Sequence, residues 1–373
     1  MEKYVYKDNK KLRYGYTTGS CASAATKAAA WMLLKNETLY SVNLMTPKGW
    51  LLTLDVEDIN ISKNKVICAI RKDAGDDPDA TDNLKIYAEV SLVSEGINIS
   101  GGEGIGIATK PGLQIDVGKS AINPVPLKMI SENILMVANE FNYSGGFNIE
   151  ISAPGGEEIA KKTFNEKLGI IDGISILGTS GIVEPMSEKA LISSILLEMN
   201  ILNENGIDQF ILCPGNFGWR FAKEELKLNM GYGLKISNFI GESIDSAKAK
   251  GIKRILFVSH LGKGVKVAGG IMNTHSRNGD CRMEIIASHS VRCGASCEVL
   301  GDVLDAVSTD AAVEILHDNK ISDCVLERIA NEVEEKLKRR VYSEIEIGVV
   351  MFSFKKGFLT MTENAKAMIG EFK

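Results

Sequence analysis

The chain has 373 residues, of which 45% are hydrophobic, so we expect two domains, each large enough to bury a core. Its 43 basic and 48 acidic residues are well mixed and give a net charge of −5, which argues against a nucleic acid or an anionic membrane as a partner. The seven cysteines lack the spacing of a secreted disulfide framework, and the polar N-terminus does not suit a signal peptide, so we expect a cytoplasmic protein.

The first half of the chain predicts an α+β domain with a mainly antiparallel sheet. Residues 1–13 are charged and are expected to be frayed, and an Ala-rich helix is predicted from about residue 21 to 34. A second helix is predicted to begin near Pro126, because proline suits the first turn of a helix. Apolar strands are predicted at 39–45, 50–56, 66–71, 85–93, 147–152 and 170–176.

The second half alternates helices with short apolar strands, which is typical of a doubly wound parallel sheet. We therefore expect an α+β domain over residues 1–182 and an α/β, Rossmann-like domain over residues 183–373. The predicted strands are 209–212, 234–237, 254–258 and 344–354. The predicted helices are 187–204, 217–228, 241–250, 264–273, 281–293, 309–318 and 322–340.

Hydroxyl side chains surround the start of the first predicted helix, at Thr17, Thr18 and Ser20. Together with the free amides of a helix N-terminus they suit a carboxylate or a phosphate. They suit an N-cap without any ligand equally well, because hydroxyl residues are common at that position.

Two further segments of the first half have a ligand-binding and a structural interpretation. Residues 73–79 carry four carboxylates, which could hold Mg²⁺, but Gly75 and Pro78 favour a solvated turn. The Gly-rich segment 101–106 lacks the pattern of a phosphate-binding loop, and Lys110 comes too late for it, so tight backbone turns are favoured there.

Two Gly-punctuated turns follow predicted strands of the second half, one containing Gly215, Asn216 and Gly218 and the other containing Gly262 and Lys263. Ligands of open α/β sheets bind at the carboxyl edge, where glycine lets the backbone approach them and helix N-terminal amides attract anionic groups. The sequence therefore predicts a ligand at these turns.

His260 and His275 flank the helix predicted at 264–273 and could transfer protons near neutral pH, although a capped helix with surface charges explains them as well. His289, Cys293 and Cys297 are spaced four apart and could share a helix face that binds a soft metal. Buried small hydrophobic cysteines are the favoured interpretation, so no metal site is expected.

The order of several motifs over nearly the full chain resembles the CbiD family of cobalt-precorrin-5B C1-methyltransferases. The matching segments are GYTTGSCA at 15–22, KDAGDDPD at 72–79, GGEGIG at 101–106, TKPG at 109–112, AINPVP at 121–126, PGGE at 154–157, GISILGTSGIV at 173–183, PGN at 214–216, SNFIGE at 237–242 and NTHSR at 273–277. The resemblance implies methylation of ring carbon 1, with S-adenosylmethionine as co-substrate and a polyanionic tetrapyrrole that brings its own cobalt.

The resemblance does not supply the site residues, so from the positions of the motifs we predict donor binding at Gly215, Asn216 and Gly218, and proton transfer by His275 in first place and His260 in second. The tetrapyrrole is expected in a cleft between the domains. Its predicted contacts are Thr17, Thr18, Ser20, Lys110, Arg220, Lys263 and Arg277. A Mg²⁺-dependent phosphoryl transferase and a noncatalytic tetrapyrrole-binding protein are the alternatives, and a homo-oligomer is compatible with the sequence.

Overall fold

The computed structural model describes residues 3–7 and 9–373. The chain forms two compact units, Met1–Glu188 and Lys189–Lys373. One hydrophobic core lies in the first unit, and two core clusters lie in the second. The mixed architecture, with a mainly antiparallel sheet first and a mainly parallel sheet second, confirms the predicted fold class. The domain boundary at residue 182 stays a prediction.

The first unit is a five-stranded sheet with helices and four two-stranded ribbons. Its helices are α1 (Thr18–Lys35), α2 (Pro124–Glu140) and α3 (Gly156–Ala160). Its strands are β1 (Tyr4–Lys7), β2 (Lys10–Arg13), β3 (Gly15–Tyr16), β4 (Ser41–Met45), β5 (Leu51–Asp55), β6 (Glu57–Ile61), β7 (Lys65–Arg71), β8 (Lys85–Val93), β9 (Ile97–Gly101), β10 (Ile107–Ala108), β11 (Gly146–Ser152), β12 (Ile170–Ile171) and β13 (Ile182–Val183).

The main sheet of the first unit has the strand order β6-β7-β8-β11-β9, and its only parallel pair among the described strands is β9 with β11. Helix α1 packs against β7, β8 and α2. Its buried side is made of small residues such as Ala24, Ala25 and Ala28, which have no exposed surface. Small side chains let the helix approach the sheet closely, so the Ala-rich start of α1 is explained by packing.

The prediction that residues 1–13 are frayed is wrong for the described part of this segment. Strands β1 and β2 form an antiparallel hairpin in which Tyr4 pairs with Arg13. The Arg13 guanidinium makes two hydrogen bonds of 2.5 and 2.7 Å to the Asp73 carboxylate. A partner sixty residues away therefore orders the hairpin. For Met1, Glu2 and Asp8 the prediction lies outside the described residues.

The second unit surrounds one five-stranded sheet with helices. Its strands are β14 (Gln209–Cys213), β15 (Gly233–Lys235), β16 (Arg254–His260), β17 (Glu346–Ser353) and β18 (Gly357–Met361). Its helices are α4 (Glu188–Glu204), α5 (Asn216–Glu224), α6 (Ile240–Ala249), α7 (Leu261–Ala268), α8 (Arg282–Val291), α9 (Cys297–Leu304), α10 (Thr309–Asp318), α11 (Ser322–Arg340) and α12 (Glu363–Met368).

The strand order of this sheet is β15-β14-β16-β17-β18, with β18 antiparallel to the other four. Numbered along the unit, the order is 2-1-3-4-5, one of the two common doubly wound arrangements. The chain leaves β14 toward one side and later returns to the other, so the order reverses between β14 and β16. In such sheets this switch point is where a crevice opens outside the carboxyl ends of the strands.

Some predicted boundaries are wrong. Helix α7 begins at Leu261 instead of 264, because the His260 side chain caps it by accepting a hydrogen bond from the Gly262 amide. The strand predicted at 170–176 is reduced to β12, because the chain after it continues only through isolated bridges. Helix α9 and strand β18 were not predicted. Helices α10 and α11 have the predicted bounds.

Candidate functional site

The loop after β14 brings an open helix N-terminus to the switch point. Gly215 precedes α5 with a φ of 98°, a conformation that favours glycine. A Cβ placed on Gly215 would have a single neighbour within 4 Å, the Lys263 Nζ at 3.6 Å. The space beside Gly215 is therefore free for a ligand next to the first amides of α5.

The other two predicted donor-binding residues of this loop have contacts of their own. The Asn216 side-chain oxygen accepts a hydrogen bond of 3.1 Å from the Lys235 ammonium. A Cβ on Gly218 would lie 2.8 Å from the backbone oxygen of Val258, so this glycine lets α5 pack closely on β16. Close packing of α5 on β16 therefore explains why residue 218 is a glycine without involving a ligand.

Lys263 joins the loops that follow three neighbouring strands. It lies in the first turn of α7, after β16, and its Nζ donates a hydrogen bond of 3.2 Å to the backbone oxygen of Ser237, after β15. The same Nζ is the neighbour of Gly215, after β14. Burial, with a smaller contribution from Lys266, lowers the pKa of Lys263. Because a partly buried cation is less well solvated than an exposed one, an anionic ligand would stabilise it.

His260 is the last residue of β16. One of its ring nitrogens is hydrogen-bonded, and the other is buried without a hydrogen-bond partner. Its Nδ1 accepts a hydrogen bond of 3.1 Å from the Gly262 amide, whereas Nε2 has no hydrogen-bond partner. Burial lowers the pKa of His260 and outweighs the opposite effect of Asp310. The ring is therefore neutral at pH 7, and because Nδ1 is the acceptor, its proton lies on Nε2. In this state Nε2 is a donor.

An aromatic cluster, defined here as Phe217, Phe221, His260, Phe352 and Phe354, lines the same edge of the sheet. The ring centroids of His260 and Phe354 are 4.2 Å apart, and those of Phe354 and Phe217 are 4.6 Å apart. Phe221 stacks on Phe352 at 4.3 Å. Phe217 and Phe354 are exposed, whereas Phe221 and Phe352 are buried, so the first two rings offer a surface that suits the face of a flat conjugated ligand.

Arg220, a predicted substrate contact, lies beside the aromatic cluster. Its guanidinium is 5.7 Å from the centre of the Phe217 ring. Both residues line a cavity of about 160 Å³ that Phe352 and Phe354 also border. A cation next to exposed rings can meet a ligand that has carboxylates around an aromatic face.

His275 and Arg277 lie in a segment that is attached to the loop after β15. The Thr274 hydroxyl donates a hydrogen bond of 3.1 Å to the Asn238 side chain, and the His275 Nδ1 accepts one of 3.3 Å from the Arg277 amide. The buried Lys266 donates to the backbone oxygen of Gly279 at 2.9 Å. The structure therefore brings this segment to the same side of the sheet as Lys263.

The predicted contacts Thr17, Thr18 and Ser20 lie in the first unit, where their side chains are buried. The Thr17 hydroxyl accepts from the Ser20 amide at 3.2 Å and caps α1. The Thr18 hydroxyl accepts from the Leu177 amide, and the Ser20 hydroxyl donates to the backbone oxygen of Gly181. All three hydroxyls thus have partners within the unit, in agreement with the capping interpretation. Their role as substrate contacts stays a prediction.

The acidic segment 73–79 is held by cations of the chain. Asp73 is paired with Arg13, which is the main reason why the pKa of Asp73 is low. The Asp79 carboxylate lies 2.7 Å from the ammonium of Lys72, whose side chain is only 2% exposed. Within residues 3–7 and 9–373, no group of three or more His, Cys, Asp or Glu side chains is arranged to hold a metal ion.

The soft-metal arrangement of His289, Cys293 and Cys297 is not formed. Helix α8 ends at Val291, so Cys293 lies beyond its end, and Cys297 begins the separate helix α9. Cys293 forms a disulfide with Cys324, and Cys297 is free and exposed. The expectation of buried, unpaired small hydrophobes is therefore wrong for these two cysteines.

Sequence reasoning missed one polar residue near the site. Asp310 lies in the first turn of α10, and its Oδ1 is buried without a hydrogen-bond partner. No motif surrounds it, and an acidic residue in the first turn of a helix is common, so the sequence held no signal for it.

None of the helices in the described part of the chain has the length and apolarity that a membrane span requires.

Comparison with known proteins gives a consistent result. A family model described as CbiD matches residues 5–185, and one described as the CbiD C-terminal domain matches residues 273–363. The chain is 50% identical to a cobalt-precorrin-5B C(1)-methyltransferase of Ruminiclostridium cellulolyticum, over 95% of this chain and 92% of the relative. It is 48% identical to the enzyme of the same name from Alkaliphilus metalliredigens, over 99% and 97%. The crystal structure of a cobalamin biosynthesis protein (cbiD) from Archaeoglobus fulgidus is similar at 31% identity, with a TM-score of 0.40, and the match covers 75% of this chain and 87% of that one.

Proposed function

Since this chain belongs to the CbiD family, we propose that it is a cobalt-precorrin-5B C(1)-methyltransferase of anaerobic cobalamin biosynthesis. S-adenosylmethionine is the co-substrate: a nucleophilic ring carbon of the tetrapyrrole forms a bond to its electrophilic methyl group, the methyl–sulfur bond breaks, and S-adenosylhomocysteine leaves. The cobalt belongs to the substrate. The identity to named relatives over nearly the whole chain supports this assignment.

The proposed donor site is the crevice at the switch point of the parallel sheet. The observation that carries it is the open space at Gly215, at the start of α5, where a Cβ would meet the Lys263 ammonium at 3.6 Å. Glycine there admits the ligand, the amides of α5 and Lys263 attract its carboxylate, and the aromatic cluster offers a surface for a flat base. The residues present fit an adenosyl ligand with an amino-acid carboxylate.

The residues of this edge can position a tetrapyrrole without supplying a nucleophile. Three residues of the second unit, Arg220, Lys263 and Arg277, are proposed contacts of the acetate and propionate groups. Lys110, an exposed residue of the first unit, is a further proposed contact. The acceleration of methyl transfer then comes from the alignment of the two reactants and from electrostatic stabilisation of the transition state.

We keep His275 as the first candidate for accepting the proton that ring methylation releases. His260 is the second candidate, but its neutral ring carries the proton on Nε2 and uses Nδ1 to cap α7. In the resting state His260 therefore donates. A single-turnover rate that is unchanged in His275→Ala would remove His275 from this role.

The test of the activity is incubation of the full chain with S-adenosylmethionine and cobalt-precorrin-5B, followed by mass spectrometry. The expected result is the gain of one methyl group. Binding of the tetrapyrrole without methyl gain would favour the noncatalytic alternative, and Mg²⁺-dependent nucleotide binding would favour the phosphoryl transferase. Either result would refute the assignment.

The test of the donor site is calorimetry with S-adenosylhomocysteine on Gly215→Val. A branched side chain fills the open space, so we expect the affinity to fall at least about tenfold, which corresponds to roughly 1.4 kcal/mol. Gly251→Val is the matched control, because Gly251 also has a positive φ and open space but precedes β16, at the amino edge. Undiminished affinity of Gly215→Val would refute the site.

The predicted cytoplasmic location and the homo-oligomer belong to the same proposal. Fractionation of cells with detection of the chain tests the location, and light scattering of the purified protein tests the oligomeric state.

A further inference from the structure

Two buried polar atoms of the second unit have no hydrogen-bond partner and belong to neighbouring helix N-termini. They are the Nε2 of His260, which precedes α7, and the Oδ1 of Asp310, in the first turn of α10. A Cβ placed on Gly262 would lie 3.6 Å from the Thr309 hydroxyl, so the two helix starts are adjacent. Buried polar atoms are nearly always hydrogen-bonded in native proteins, to the protein itself, to ordered water or to a ligand, so a small polar group between the two helix starts would satisfy this pair.

The two atoms have complementary chemistry. The neutral His260 ring offers a hydrogen at Nε2, since its Nδ1 accepts from Gly262. The Asp310 carboxylate offers a lone pair at Oδ1, and its charge acts on His260 in the direction opposite to the larger effect of burial on the pKa of that ring. The group that satisfies both must accept one hydrogen bond and donate another. A hydroxyl does this, and so does a water molecule that a ligand hydroxyl would displace.

Other charged groups near His260 leave this arrangement intact. Lys263 and Arg282 both act on the ring and favour its neutral form. The Arg282 guanidinium is paired with Asp280 at 2.8 Å, and the Lys263 ammonium is directed to Ser237. Asp310 is thus the carboxylate that acts on His260.

The pair of His260 and Asp310 also discriminates between the functional groups of the two reactants. The rim of the tetrapyrrole carries ionised carboxylates, which cannot donate a hydrogen bond to Asp310 and are repelled by its charge. The adenosyl donor carries two neutral ribose hydroxyls. His260 belongs to the aromatic cluster through Phe354, which contacts Phe217 at the start of α5, so the pair adjoins the proposed donor crevice.

We propose that His260 and Asp310 form a hydroxyl-binding subsite that holds a ribose hydroxyl of the donor. This inference rests on the proposed function. In many doubly wound sheets a carboxylate near the end of the second strand binds the ribose. Here the residues after β15 are Ile236, Ser237, Asn238 and Phe239, and none is acidic. Asp310 supplies that carboxylate from a different part of the chain.

The test compares the binding of S-adenosylhomocysteine with that of its 2′-deoxy and 3′-deoxy forms by calorimetry. The full-length chain is used as wild type, as Asp310→Ala and as the control Asp302→Ala, an exposed residue of α9. Loss of a hydrogen bond to a charged group weakens binding by roughly 10- to 100-fold. We expect this loss for one deoxy ligand on the wild type and for the parent ligand on Asp310→Ala.

The decisive result is the combination of both changes. If the lost hydroxyl is the partner of Asp310, that deoxy ligand binds Asp310→Ala no more weakly than the parent ligand does, whereas Asp302→Ala behaves as wild type. Should Asp310→Ala fail to fold, as judged by thermal unfolding, Asp310→Asn takes its place with a smaller loss expected.

The outcomes separate this inference from the proposed function. The subsite alone is overturned if the wild type binds S-adenosylhomocysteine and Asp310→Ala binds it with the same affinity. It is also overturned if Asp310→Ala discriminates against the deoxy ligands as strongly as the wild type does. A wild type that binds neither this ligand nor S-adenosylmethionine overturns the proposed function.

Discussion

Substitution of Asp79 by Asn tests whether the acidic segment 73–79 is held by a buried ion pair. The Asp79 carboxylate lies 2.7 Å from the Lys72 ammonium, and the Lys72 side chain is only 2% exposed. Asn keeps an oxygen for the hydrogen bonds that Asp79 Oδ1 accepts from the Thr81 amide and hydroxyl. The substitution therefore removes the negative charge and leaves the buried positive charge without its partner.

The expected cost follows from this geometry. Removing one partner of a buried ion pair costs about 3–5 kcal/mol, because the remaining charge stays in a poorly solvated place. Asp79 retains a quarter of its side-chain exposure, so we expect the lower part of this range, about 3 kcal/mol at pH 7. The exposed Asp116→Asn is the matched control and should change stability by less than about 0.5 kcal/mol.

The pH dependence has a definite sign. Burial raises the pKa of Asp79, but Lys72 and the hydrogen bonds from Thr81 lower it more, so the pKa in the folded state lies below the ordinary value of an aspartate. A carboxyl group with a lowered folded pKa contributes stability above its unfolded pKa and loses that contribution as the pH falls through the folded value. The difference between wild type and Asp79→Asn should therefore be complete at pH 7 and should shrink below about pH 4.

The assay is urea unfolding followed by tryptophan fluorescence in a Trp219→Phe background, so that Trp31 and Trp50 report on the first unit. A second variant, Lys72→Met with Asp79→Asn, removes both charges and should recover most of the lost stability. A loss below about 0.5 kcal/mol in the single variant would refute the reasoning. A double variant that is as unstable as the single one would refute it as well.

Two further substitutions test contacts that join distant parts of the chain. Gly15→Ala should destabilise the first unit by about 1–3 kcal/mol in the same urea assay, because the new Cβ would overlap the backbone of Ala74; a wild-type midpoint would contradict this packing. Cys293→Ser should cost about 2–4 kcal/mol in the oxidised protein, since it opens the disulfide to Cys324, and Cys297→Ser should cost nothing. Peptide mapping without reductant checks the pair, and recovery of both cysteines as free thiols would disprove it.

The sequence determined the types and order of most elements because these depend on local periodicity and on helix start and stop residues. Helices α10 and α11 are examples, since their amphipathic patterns and flanking residues define their bounds within a short window. The alternation of strands and helices also indicated a parallel sheet, and therefore a ligand edge at the turns of Gly215 and Lys263. The order of the motifs along the chain indicated the family, because motif order can be read without knowledge of the contacts in the folded protein.

Only the tertiary structure decided which of the predicted residues lie together and what each of them contacts. The Thr17, Thr18 and Ser20 hydroxyls are satisfied within the first unit, and Arg13 pairs with Asp73 across sixty residues of chain. Asp310 acts electrostatically on His260 because the starts of α10 and α7 are adjacent. Such contacts depend on how distant elements pack, and a local sequence pattern does not specify that packing. The hydrogen-bond partners of a polar side chain can therefore be identified only in the folded chain.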